Sequence, residues 1–120
     1  MGDRANVFVK DETEVGRGVF LYTHWDGATL PHTVKLALTR GTGRWDDAPY
    51  LTRIIFCEMV RGDLDGDTGY GISATQLDNG RPIIVIDTEN KKISFENTHD
   101  WAFEDYVKLT NEEIDKAWRD

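Results

Sequence analysis

Asp46-Asp47-Ala48-Pro49-Tyr50-Leu51-Thr52-Arg53-Ile54-Ile55-Phe56-Cys57-Glu58-Met59 is the stretch that decides the architecture. Either aspartate can accept hydrogen bonds from the free backbone N–H groups of a first helical turn. Pro49 falls where a missing N–H costs nothing. A helix from about Ala48 to Arg61 is therefore expected, stopped by Gly62. Its apolar residues run almost all the way round, as in a helix buried on more than one side. Leu51, Ile54, Ile55 and Met59 make one buried side. Phe56 and Val60 make a second strip that one domain of this length has difficulty covering, which points to a homo-oligomer. Glu58 lies within the apolar face, where a carboxylate must be paired or protonated; Arg61 or Arg4 could pair with it.

Upstream, Thr29 is placed to cap a helix starting at about Leu30, with Pro31 in its first turn and Gly41 and Gly43 at its end. Before it, Ala5–Lys10 and Val19–Trp25 alternate apolar and polar residues about a turn containing Gly16, the pattern of a hairpin. Its second face carries Phe8, Phe20 and Tyr22. That stripe is too apolar to stand in water, so a C-terminal helix or a second chain is expected over it. Downstream, Gly69–Gln76, Ile83–Asp87 and Lys92–Glu96 read as strands. Asn79-Gly80 is a hairpin signal between the first two, and Glu89-Asn90-Lys91 turns the chain into the third. Residues 97–120 read as a helical tail in two pieces, with Thr110 and Glu113 at capping-box spacing. Residues 1–120 thus make a single α+β domain: an antiparallel sheet of about five strands, hairpin plus three-strand meander. Two helices lie on one face, and a helical C-terminal tail follows.

The formal charge of −8 argues against direct nucleic-acid binding, which needs a basic surface. No stretch has the length of a membrane span and the start lacks a signal-peptide core, so a cytoplasmic protein with no membrane partner is expected. Cys57 is the lone cysteine and sits mid-helix, where a thiol behaves as a small hydrophobe. His24, His32 and His99 have no metal-ligand spacing, and no phosphate loop is present. Asp63, Asp65 and Asp67 copy the start of a calcium loop, but its required Gly and Glu are replaced by Thr68 and Ala74. A solvated acidic turn is the expectation. No catalytic residue, metal or cofactor is assigned, and an enzyme is the less favoured class.

One group of side chains does invite a ligand. Arg beside Trp and Tyr stacks on planar groups and grips phosphate or carboxylate. Arg44, Trp45 and Tyr50 enter the second helix, and Arg4, His24, Trp25 and Tyr70 are of the same kind. Those seven form the expected ligand-binding set, with a helix N-terminus as anion site. Asp46 and Asp47 oppose it, since they would repel an anion. Gly69 and Gly71 around Tyr70 suit flat packing against an aromatic ring, or close approach of a ligand.

Tyr22-Thr23-His24-Trp25-Asp26-Gly27, Arg44-Trp45-Asp46-Asp47-Ala48-Pro49-Tyr50-Leu51, Ile55-Phe56-Cys57 and Thr68-Gly69-Tyr70-Gly71-Ile72-Ser73 resemble blocks of a family of small phage and bacterial proteins. These begin, like this chain, with Met-Gly-Asp-Arg-Ala-Asn, and the resemblance covers about residues 1–88. It carries over no catalytic residue and no substrate. It implies a prokaryotic or phage setting, in which small proteins without enzyme motifs are often counter-defence factors. The expectation is a non-catalytic binding protein that sequesters a small anionic ligand, such as a nucleotide immune signal. The alternative is an acidic inhibitor that binds a host defence or nucleic-acid-binding protein, using the Asp63–Asp67 loop beside Asp46, Asp47 and the acidic tail.

Overall fold

Alternation builds the centre of the sheet. In β1 (Ala5–Lys10), Ala5, Val7 and Val9 are buried on one face, and β2 (Gly18–Thr23) sets Val19, Leu21 and Thr23 opposite them in antiparallel register. A computed structural model supplies these coordinates and describes residues 2–11 and 13–119. Helices α1 (Leu30–Arg40) and α2 (Ala48–Met59) follow, separated by a 3-10 turn at Thr42–Arg44. Leu30, Val34, Ala37 and Leu38 of α1 and Leu51, Ile55 and Met59 of α2 join the strand residues in one core. Of the two aspartates that could cap α2, Asp47 does so, accepting from Tyr50 N–H at 3.2 Å. Thr29 occupies the cap position of α1 without making a cap bond; its hydroxyl donates to the Asp26 carbonyl instead.

The sheet is α+β in context but mixed in direction, and it has six strands in the order β3-β2-β1-β4-β5-β6. β3 (Tyr70–Ser73) pairs antiparallel with β2, while β4 (Ile84–Asp87) lies beyond β1 and parallel to it. The hairpin expected at Asn79-Gly80 therefore does not form. Residues 74–83 instead cross to the far side of β1, tied down by Gly80 N–H to the Arg4 carbonyl and by Asn6 Nδ2 to the Leu77 carbonyl. Asn79 spends its side chain on the Arg81 carbonyl. Burial decides the outcome: Ile84 and Ile86 extend the layer of Val7 and Val9, their neighbours in register.

β5 (Lys92–Phe95) returns through the turn at Glu89–Lys91, and β6 (His99–Ala102) pairs with it. The helical tail expected from residue 97 thus begins with a strand. Trp101 sits opposite Ile93 and His99 opposite Phe95, so edge pairing and aromatic packing override any helical tendency there. Then come α3 (Phe103–Tyr106) and α4 (Asn111–Arg119). The capping box forms, with Thr110 N–H on Glu113 Oε1 at 2.8 Å and Glu113 N–H on Thr110 Oγ1 at 3.1 Å. Trp118 Nε1 donates to the Gly27 carbonyl and Tyr106 Oη to the Pro31 carbonyl, which seats the tail beside α1. The C-terminal helix consequently does not cover Phe8, Phe20 and Tyr22. These stay half-buried on the opposite face, the two phenylalanine rings 4.6 Å apart and Leu77 lying across Gly71 nearby.

Three other expectations on α2 are resolved within one chain. Val60 is buried and Phe56 packs against the core, so that strip does not by itself require a second copy. Cys57 is exposed, not enclosed among apolar neighbours. Glu58, only 9% exposed, is held by Arg40 Nε at 2.8 Å and by Arg61 at 2.5 Å; Arg4 is not involved. Hydrogen bonding from Arg61, helped by Arg40, holds this carboxyl below its ordinary range despite the opposing effect of burial. A depressed pKa contributes stability above the ordinary glutamate range and loses it as pH falls through the folded value. Glu58→Gln is expected to cost about 2 kcal/mol at neutral pH, the difference from the parent fading as pH falls below the ordinary glutamate range. Urea melts across pH check this; a cost unchanged in acid would assign the loss to packing alone.

Candidate functional site

The seven residues of the expected ligand set do not converge. Trp45 belongs to the core: its Nε1 donates to the Leu38 carbonyl at 2.9 Å and its ring meets Phe103 edge-on. Arg44 stacks over Tyr50 at 4.7 Å and reaches Asp47 at 3.6 Å, just ahead of α2. Arg4, His24, Trp25 and Tyr70 gather elsewhere, where Ala5 faces Thr23. There His24 Nδ1 is approached by Arg4 Nε at 3.3 Å and by Tyr22 Oη at 3.0 Å. A guanidinium can only donate, so Nδ1 is the accepting nitrogen. Trp25 Nε1 donates to Tyr70 Oη, which in turn donates to Asp26. Burial first, and then the bond to Asp26, raises the Tyr70 pKa, so its hydroxyl stays a donor at neutral pH. Gly69 carries the flat-packing role read from its sequence, since the Trp25 ring lies directly against its Cα.

The helix N-terminus expected to bind an anion is already served. Asp47 accepts the Tyr50 N–H and carries the negative charge that the helix dipole favours. Beside that terminus, however, lies a cleft of about 730 Å³ that the sequence reading missed. Its floor is apolar: Val9 and Val19 from the sheet, Ala48 and Pro49 from α2, and Ala74 after β3, with Thr52 at the side. Asp11, Asp46 and Asp47 stand around it, as do Lys10 and Arg17. Both cations are engaged, Lys10 with Asp87 at 3.3 Å and Arg17 with Glu14 at 2.9 Å. The cleft is thus lined by apolar residues together with three carboxylates and two paired cations, Asp47 being itself engaged by Arg44, and it has the volume of an ordinary ligand site. It exists because small residues meet: Ala48 and Thr52, one turn apart, stand near Ala74.

Asp63 folds over Gly66 in the acidic loop, where a side chain on Gly66 would strike its carboxylate. Among the described residues no three His, Cys, Asp or Glu side chains are gathered to hold a metal ion. No helix among them is long and apolar enough to cross a membrane. Compared with known proteins, the chain matches no family model, no curated protein and no solved structure.

Proposed function

We propose that this is a non-catalytic binding protein of a phage or bacterial cytoplasm, acting as an acidic inhibitor that engages another protein. The carboxylates that line the apolar cleft beside α2, where Lys10 and Arg17 are already paired, carry this reading. An apolar side chain fits its floor, and a cation on the same partner is attracted by Asp11, Asp46 and Asp47. The resemblance to small phage and bacterial proteins supports counter-defence as the setting. Acetyl-Leu-Arg-amide is a minimal probe. Titrated into the labelled protein, it is expected to shift the resonances of Val9, Val19 and Thr52. Thr52→Trp, which fills the cleft, is expected to weaken it by about ten-fold or more, and so is raised salt. Equal affinity for both proteins would remove the cleft from the function.

Sequestration of a small anionic ligand is the second reading, now centred on Arg4, His24, Trp25 and Tyr70. Its supporting observation is the Trp25 ring, 44% exposed beside Arg4-bound His24. Calorimetry against cyclic and ADP-ribose-type nucleotides separates the two readings. Heat that disappears in both Arg4→Ala and Trp25→Ala would favour this second one.

A further inference from the structure

The cleft opens, past Ala74, onto the outer edge of the sheet. β3 is the edge strand there, and the phase of its hydrogen bonds follows from the ladder. Asp11 N–H donates to the Arg17 carbonyl just beyond the pair Lys10 and Gly18. Alternation then makes Val19, Leu21 and Thr23 the β2 residues that bond to β1, leaving Phe20 and Tyr22 to bond β3. His24 N–H on the Gly69 carbonyl continues that phase. Gly71 and Ser73 therefore turn their peptide groups toward β2. Tyr70 and Ile72 turn theirs outward, where no strand among the described residues pairs with them. Ile72 also exposes 62% of its surface. Edges left in solvent are usually blunted by shortness, lysine, proline or a bulge; β3 is short, with four residues, but Tyr70-Gly71-Ile72-Ser73 carries no charge and no proline.

We propose that the open edge of β3 receives an extended, basic segment of a partner protein as a seventh strand. Its backbone pairs with Tyr70 and Ile72, and alternate side chains lie over Ile72 and enter the cleft. This names the partner of the cleft and rests on the reading given above. Charge selects the occupant. Asp63, Asp65 and Asp67 precede β3, while Asp46 and Asp47 share the cleft with Ala74 just after it. Carboxylates stand at both ends of the edge, Lys10 and Arg17 at the Ala74 end being paired with Asp87 and Glu14, in a chain of formal charge −8. A second copy added antiparallel would bring the Asp63–Asp67 loop of each against Asp46 and Asp47 of the other. Like charges disfavour that pairing, whereas a strand bearing lysine or arginine neutralises both ends.

The probe is a fluorescein-labelled peptide of alternating lysine and valine, with a glutamate–valine peptide as control, titrated into the full chain. Anisotropy is expected to show binding of the basic peptide alone, with slowed exchange at the Tyr70 and Ile72 amides. Ile72→Pro removes one outward N–H while leaving the bonds of Gly71 and Ser73 to β2, and is expected to weaken binding about ten-fold. The same peptide N-methylated at alternate residues gives the equivalent loss on the parent protein, so the test survives if the proline variant fails to fold. Undiminished binding of the methylated peptide, or unprotected Tyr70 and Ile72 amides, would overturn strand addition. So would equal binding of the glutamate peptide. Acetyl-Leu-Arg-amide binding that is lost in Thr52→Trp, with no binding of the strand peptide, overturns this inference and leaves the cleft reading standing. The reverse pattern overturns the cleft reading and with it the entry of side chains into the cleft, leaving backbone pairing at the edge, and failure of both probes overturns both.

Discussion

Phe95→Ala is expected to cost about 4 kcal/mol, a large share of the stability of a domain this size. Phe95 is fully buried on β5, and its ring meets Trp118 at 4.9 Å, Trp101 at 5.0 Å and Tyr106 at 6.0 Å. Those three rings come from α4, β6 and α3, so one side chain packs the C-terminal elements against the sheet. The surrounding rings are large and rigid, and they cannot collapse into the space left by a phenyl group. A melting temperature lower by roughly 15 °C follows. Near-ultraviolet circular dichroism should lose much of its tryptophan signal at the same time. Phe95→Leu, which keeps most of the volume, is expected to lose less than half as much. A cost below about 1 kcal/mol for the alanine variant would mean that the tail is not docked through this ring.

The second large effect is expected at Gly69, for two separable reasons. Its φ of +94° lies where side chains are strained, at about 1–2 kcal/mol. A Cβ there would also fall about 2.0 Å from Trp25 Cζ2, so the indole must leave its seat and give up its bond to Tyr70. Gly69→Ala is expected to cost about 3 kcal/mol in all. In a Trp25→Ala background the steric part vanishes and only the backbone part, about half, remains. Urea denaturation of the four proteins in this cycle measures the coupling directly. Zero coupling would show that the ring does not rest on Gly69.

Much of the fold was legible because its signals are local. The caps at Asp47 and Thr110–Glu113, the start of α1 at Leu30 and the full extent of β1 all follow from short-range backbone chemistry and side-chain alternation. What failed was pairing. Asn79-Gly80 has the composition of a hairpin, yet the chain there crosses the sheet and Ile84 and Ile86 are fully buried beside β1. The site was less legible for the same reason. Arg44, Trp45 and Tyr50 look like partners of Arg4, His24, Trp25 and Tyr70, but Trp45 is drawn into the core by Leu38 and Phe103. The cleft could not be read at all, since a cavity is made by side chains that are small and by segments distant in sequence.

The sequence by itself determined an acidic α+β domain, the ends of its main helices and the fact that Glu58 must be paired, each a consequence of local hydrogen bonding, periodicity or charge. Tertiary structure alone decided which cation holds Glu58 from α1 and which strand lies at the open edge. It also decided where the apolar cleft forms. Those outcomes depend on which buried surfaces meet, and contact between distant segments is settled by the total area removed from water, a quantity no short stretch of sequence contains.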